Sequence, residues 1–175
     1  MIKEKMDLKK YIYDVKDFPK AGVNFKDITP LLNDADAFKY TIEEISKFVK
    51  EIGATVVVAP EARGFLLASA VAFNTNTRFV LVRKPGKLPR EVFDIEYTLE
   101  YGTNHQQMHK GDIKPGDKVV IVDDILATGG TIEAIIELVE MQEGTIEGIS
   151  FLADLTDLHD ETLLSEYKVQ KLLKY

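Results

Sequence analysis

Apolar residues recur at spacings of three and four through Phe38, Ile42, Ile45, Val49 and Ile52, which predicts an amphipathic helix closed by Gly53. The pattern then changes character. Thr55 to Ala59 is a β-branched run ending at Pro60, and beyond Glu61-Ala62-Arg63-Gly64 comes a small-residue apolar stretch from Phe65 to Phe73, so strand, loop and helix are predicted in succession. Phe79 to Val82 predicts a further buried strand. Lys118 to Val122 holds four consecutive Val or Ile residues, the composition of a strand covered on both faces. Thr131 to Met141 has helical spacing at Ile132, Ile135, Ile136 and Val139, and Ile146 to Leu152 returns to strand character. Strands alternating with helices predict an α/β fold, a mostly parallel sheet flanked by helices.

Between these elements, residues 84–116 carry Pro85, Gly86, Pro89, Gly102, Gly111 and Pro115 among polar residues. This segment is expected to leave the sheet as a mobile hairpin or lid. No repeat or linker is evident, so one domain spanning residues 1–175 with a small hood is expected. A chain of 175 residues buries roughly 70% of its unfolded surface and needs no covalent staple.

Composition narrows the partners. With 22 basic and 29 acidic residues the formal charge is −7, which argues against general binding to nucleic acid or anionic membranes. An anionic ligand therefore needs a local site. The absence of cysteine excludes a thiolate nucleophile and cysteine metal sites, and fits the reducing cytoplasm. No apolar run is long enough for a membrane span.

The segment most informative about chemistry is Val119-Val120-Ile121-Val122-Asp123-Asp124-Ile125-Leu126-Ala127-Thr128-Gly129-Gly130-Thr131. A hydrophobic strand is expected to end in two carboxylates, turn through small residues and enter a helix. Gly129 and Gly130 permit positive φ and close backbone approach, so that successive N–H groups converge on an anion at the helix N-terminus. Thr128 and Thr131 add hydroxyl donors. Asp123 and Asp124 would repel a phosphate placed directly over them and suit vicinal sugar hydroxyls instead. A sugar phosphate satisfies both halves. The fingerprints of Walker-type NTPases, dinucleotide folds and hydrolase elbows are all missing from the sequence.

The same thirteen residues resemble the phosphoribosyl pyrophosphate signature of the type I phosphoribosyltransferase family. The likeness extends in colinear order through Asp17-Phe18-Pro19, Gly22 to Pro30, Pro60 to Phe65, Val82 to Pro89 and Leu99-Glu100-Tyr101-Gly102, and narrows to members acting on adenine. It covers roughly residues 17–155, and Leu163 to Tyr175 match loosely. The resemblance implies a type I phosphoribosyltransferase fold with a hood and a flexible loop. It also implies a Mg²⁺-dependent transfer of the phosphoribosyl group from phosphoribosyl pyrophosphate to adenine, giving AMP and pyrophosphate in purine salvage. Mg²⁺ would be carried mainly by the phosphoribosyl pyrophosphate, and the chain would form a homodimer.

Residue by residue, the resemblance assigns Ala127, Thr128, Gly129, Gly130 and Thr131 to the phosphate and Asp123 and Asp124 to the ribose. Arg63, Lys84 and Lys87 fall to the pyrophosphate, and a non-proline cis peptide is implied in the Glu61-Ala62-Arg63 turn. Glu100 and Tyr101 belong to the closing loop, Glu100 managing the adenine proton or stabilising positive charge. Asn24, Phe25 and Lys26 form the adenine-reading segment, with Ile125 packing on the opposite face of the base; Lys26 stands where the family commonly has Arg. Ala127 replaces an aspartate of the 6-oxopurine enzymes, and residues 149–165 lack the cation those enzymes use. Catalysis would rest on Glu100, Arg63 and Lys84.

Residues 78–90 hold Arg78, Arg83, Lys84, Lys87 and Arg90 and no acid, and are expected to form the local electropositive site, with Arg78 and Arg90 left to a solvated face. His105 and His109 are spaced like zinc ligands on a helix, but Gln106 and the nearby glycines favour a polar loop, and His159 shows no evident partner. The alternatives are a purine phosphoribosyltransferase of other base preference, a non-catalytic sensor of phosphoribosyl pyrophosphate, and an acidic-pair receiver domain. The last leaves the glycine turn unexplained.

Overall fold

The computed structural model describes residues 5–99 and 102–175. The chain divides into two compact units, residues 1–44 and 45–175. In the first, a single 3-10 turn at Leu8–Tyr11 precedes an antiparallel pair, β1 (Tyr13–Lys16) and β2 (Asn24–Asp27). A short helix, α1 (Thr29–Leu32), follows. Among the described residues of this unit, Leu8, Ile12, Ile28, Leu31, Ala37 and Ile42 are the buried apolar ones. Helix α2 (Ala35–Ile52) begins in this unit and carries the predicted stripe; it ends at Gly53, whose φ of +72° suits the C-terminal position of a helix.

The second unit is built on a five-stranded parallel sheet. Its members are β3 (Val56–Pro60), β4 (Arg78–Val82), β7 (Lys118–Leu126), β8 (Thr145–Asp154) and β9 (Val169–Lys174), in the order β4-β3-β7-β8-β9. Helix α3 (Arg63–Thr75) connects β3 to β4, and α4 (Gly130–Glu140) connects β7 to β8. Every residue of β3 is buried, as a central strand covered on both faces requires. Val56, Val58, Ile121 and Phe151 share one cluster with Ile132, Ile135 and Val139 of α4. Val57 and Ala59, equally buried, point the other way by strand alternation, and α3 packs against β3 and β7. Gly148 brings α2 close to β8: a Cβ there would lie 2.4 Å from Ile52 Cδ1.

The structure revises one expectation, bears out the hairpin and gives form to the C-terminal segment. Strand β7 does not stop at the acids, because Ile125 and Leu126 continue the ladder against Ala153 and Asp154 of β8. The excursion contains a regular antiparallel hairpin, β5 (Val92–Leu99) with β6 (Gly102–His109). Its base is joined to the segment after β4 by reciprocal backbone bonds between Arg83 and Gln107 at 2.9 and 2.8 Å. The loosely matching C-terminal residues supply β9, the parallel edge strand. No helix among the described residues is long and apolar enough to cross a membrane.

Candidate active site

The carboxyl ends of β3 and β7 open into a cavity of about 290 Å³, where an open α/β sheet receives ligands. Gly64 makes the acid side of this cavity possible. A Cβ at that position would lie 2.9 Å from Asp123 Oδ1 and 3.1 Å from Pro60 Cδ, so only glycine lets the first turn of α3 approach β7 this closely. The approach delivers Arg63, whose Nε stands 2.7 Å from Asp124 Oδ2. Asp123 Oδ1 accepts the backbone N–H of Asp124 at 2.8 Å, and Asp124 Oδ1 accepts that of Ile125 at 2.9 Å. Burial and the adjacent Asp124 charge push the Asp123 carboxyl well above its ordinary range, against the pull of Arg63.

On the opposite wall, Glu61 fixes the segment that carries Lys84. Its Oε1 accepts the Lys84 backbone N–H at 2.5 Å, and its Oε2 accepts from Arg83 Nη2 at 3.0 Å. Burial alone would raise the Glu61 carboxyl, but the Lys84 N–H and the Arg83 guanidinium together hold it below its usual value. Arg83 is therefore spent on Glu61, while Lys84 lines the cavity. The Glu61-Ala62 peptide is cis, within the turn where the resemblance placed one.

The floor of the cavity is the turn from Ala127 into α4. Gly129 is the N-cap of α4 with φ +94° and ψ −11°. A Cβ there would fall 2.5 Å from Leu163 Cδ2, so Leu163 buttresses the turn. The first backbone N–H groups of α4 have no intrahelical acceptor and carry the positive end of its dipole. Gly130 does not line the cavity; its missing Cβ makes room for the Tyr97 ring, 3.1 Å from the Cβ position.

Arg63, Lys84, Asp123, Asp124, Ile125, Ala127, Thr128, Gly129 and Thr131 are thus brought to one cavity. Lys87 is exposed and not among the lining residues. Asn24, Phe25 and Lys26 lie on β2 in the other unit, where Lys26 Nζ meets Asp14 at 2.5 Å across the strand pair and the Phe25 ring meets Phe18 edge-on at 5.1 Å. Glu100 and Tyr101 fall outside the described residues.

The expected electropositive patch is largely neutralised. Arg78 pairs with Asp117, Arg83 with Glu61, and Arg90 with Asp112 at 3.1 Å. These acids lie far away in sequence, so local charge density overstated the free cation. His105 and His109 sit on β6 and not in a loop, facing Asp94 at 2.6 Å and Asp112 at 3.3 Å respectively. His159 has a partner after all: its Nε2 lies 2.6 Å from Asp154, which also takes Lys171 Nζ at 2.6 Å. Sequence reasoning also missed Tyr97, Asn104 and Gln106 on the cavity wall. Phe93, Ile95 and Tyr97 alternate with Asp94 and Glu96 and carried a strand signal that the surrounding glycines and prolines obscured.

The sequence matches the phosphoribosyl transferase domain family over residues 31–170. It is 79% identical to the adenine phosphoribosyltransferase of Mesoplasma florum over 170 residues, covering 97% of this chain and all of that protein. The fold is similar to the adenine phosphoribosyltransferase of Thermoanaerobacter pseudethanolicus, with a TM-score of 0.92, 48% identity and coverage of 96% and 98% of the two chains. It is also similar to the Saccharomyces cerevisiae enzyme complexed with D-2,5-dideoxy-2,5-imino-altritol 1,6-bisphosphate and adenine, with a TM-score of 0.87, 34% identity and coverage of 94% and 96%.

Proposed function

The chain belongs to the phosphoribosyl transferase domain family, and from that premise we infer an enzyme that transfers the phosphoribosyl group of phosphoribosyl pyrophosphate to adenine, giving AMP and pyrophosphate. The observation that carries this reading is the composition of one cavity wall: an acid pair on β7 leads directly into a glycine turn at the start of α4, opposite Arg63 and Lys84. Likeness to adenine phosphoribosyltransferases supports the choice of base.

Ala127 to Thr131 receive the 5′-phosphate through backbone N–H groups and hydroxyls. Asp123 and Asp124 accept the ribose hydroxyls. Arg63 and Lys84 oppose the charge that builds on pyrophosphate as its bond to the anomeric carbon breaks, which lowers the barrier because the interaction strengthens in the transition state. A purine nitrogen attacks that carbon from the opposite side, and Glu100 manages the proton the purine gives up. Lys87 joins the pyrophosphate contacts and Tyr101 shields the reaction centre. By the resemblance Asn24, Phe25 and Lys26 read the base, and Ile125, which lines the cavity, supplies an apolar surface for it.

Mg²⁺ enters with phosphoribosyl pyrophosphate. The carboxylates of Asp123 and Asp124 are hard oxygen donors of the kind that assist a phosphate-borne, largely hydrated ion. Bound with the substrate, the ion neutralises pyrophosphate charge. A homodimer is supported by Leu66 and Phe73, which stand 46% and 92% exposed seven residues apart on α3. The cytoplasm is the expected compartment.

Initial rates with adenine, hypoxanthine, guanine and xanthine, each with phosphoribosyl pyrophosphate and Mg²⁺, test the reading. AMP formation from adenine should dominate; preference for a 6-oxopurine overturns the base assignment. Glu100→Ala should lower kcat far more than it weakens phosphoribosyl pyrophosphate binding.

A further inference from the structure

A phosphate monoester accepts hydrogen bonds and offers almost none, so a hydroxyl in its cradle helps only if the proton points at the ligand. Thr131 lines the cavity, and its Oγ1 lies 3.1 Å from the Tyr97 hydroxyl. Among the described residues Thr131 makes no other side-chain hydrogen bond. Tyr97 in turn takes a hydrogen bond from Gln106 Nε2 at 3.3 Å. An amide nitrogen only donates, so this contact occupies a lone pair of the phenol; among the described residues Thr131 is the one other partner of that hydroxyl, and the phenol's single proton is assigned to it. Thr131 then accepts, and its own proton is free for the cavity.

The arrangement is built into the fold. Tyr97 is on β5 and Gln106 on β6 of one antiparallel ladder, and the Tyr97 ring rests where a Cβ of Gly130 would crowd it at 3.1–3.2 Å. Gln106 is 6% exposed and borders the same cavity, and its Oε1 has no hydrogen-bond partner among the described residues. A polar side chain held this way on a cavity wall is costly unless it serves the site.

We propose that Gln106 and Tyr97 are positioning residues for the phosphate cradle: a directional chain from Gln106 Nε2 through the Tyr97 hydroxyl to Thr131 aims the threonine proton at the 5′-phosphate. Neither residue needs to touch the phosphate. Charge on the ligand polarises the chain and strengthens each link. The hairpin thereby adjusts affinity for the phosphoribosyl end of the substrate independently of the base. This rests on the assignment of the Ala127–Thr131 turn to the phosphate.

The test is a double-mutant cycle on the full chain, with AMP and Mg²⁺-pyrophosphate binding measured by calorimetry for Tyr97→Phe, Thr131→Val and both together. Thr131→Val should weaken AMP by about tenfold, the loss of one hydrogen bond to a charged group. Tyr97→Phe keeps the ring on Gly130 and should weaken AMP by about fivefold, a neutral hydrogen bond's worth. The double variant should match Thr131→Val alone, because Tyr97 acts only through that hydroxyl. Pyrophosphate affinity should not move. In steady state, KM for phosphoribosyl pyrophosphate should rise in Tyr97→Phe while KM for adenine stays fixed. Additive effects, an equal loss of pyrophosphate affinity, or an unaltered Tyr97→Phe variant beside a weakened Thr131→Val would overturn the chain and spare the cradle. Unaltered AMP binding in Thr131→Val would instead overturn the cradle assignment.

Discussion

Two acid clusters stand at the carboxyl edge of the same sheet, on neighbouring strands, and their charge ratios are reversed. On β7, two carboxylates share one cation: Asp123 and Asp124 with Arg63, at the wall of an open cavity. At the end of β8, one carboxylate is shared by two cationic side chains, Asp154 with His159 and Lys171, and Asp154 is 1% exposed. Burial favours protonation in both places. In the first the second acid adds to that push, and Asp123 rises. In the second Lys171 and His159 outweigh burial, and Asp154 is held below its ordinary range. An acid left short of cations is available to ligand hydroxyls and metal; one supplied in excess is closed to them and serves to fix β8, β9 and the segment between them.

The largest effect should come from breaking the closed cluster. Asp154→Ala strands two cationic groups and should cost about 3–5 kcal/mol in denaturant unfolding, with little change in either KM for the folded fraction. Next, Asp123→Asn with Asp124→Asn should lower kcat/KM for phosphoribosyl pyrophosphate about 100-fold, roughly 2.7 kcal/mol, with the melting temperature largely preserved. If the two variants exchange outcomes, with stability lost on β7 and activity on β8, the contrast is wrong.

Smaller effects sharpen it. Burial disfavours the charged His159 imidazole, but Asp154 more than offsets this and His159 titrates above its ordinary value. Its stabilising contribution is complete below the unfolded imidazole value of about 6.5 and disappears as pH rises through the raised value in the fold. His159→Gln should remove about 1 kcal/mol of stability at pH 6 and flatten that pH dependence. Smallest and opposite in sign is Asp123→Asn alone. A carboxyl raised in the fold binds its proton more tightly there than in the unfolded chain, so stability falls as pH climbs past the unfolded value of about 3.9. Removing that group should raise stability at pH 7 by about 0.5 kcal/mol while activity declines, read by thermal melting beside initial rates.

Much of this was legible in the chain. The 3.6 periodicity located α2 and α4, and continuous apolar runs located β3 and β4, within a few residues, since a strand covered on both faces is apolar at every position. The glycine turn was legible because Gly129 needs its positive φ. What escaped detection depends on partners distant in sequence. Arg83 looked like a free cation of the electropositive site, and Arg78 and Arg90 like solvated surface, until Glu61, Asp117 and Asp112 met them. His159 looked idle because the turn after β8 folds it back onto Asp154, five residues earlier, and no periodicity in the sequence announces that turn. Tyr97 lay in a segment whose prolines and glycines masked a two-residue alternation, and nothing in the sequence told that its ring would rest against Gly130.

The hairpin has one more consequence. It divides the chain so that β3 and β4 precede it while β7, β8 and β9 follow, and the sheet order makes β3 and β7 the seam. Opening the polypeptide between β5 and β6 would leave two fragments that still share that seam, the β5–β6 ladder and the Arg83–Gln107 bridge. Separately expressed halves should therefore find each other unaided and rebuild the sheet, read by thermal melting of the mixture, whereas turnover should stay low because the break falls at Glu100 and Tyr101.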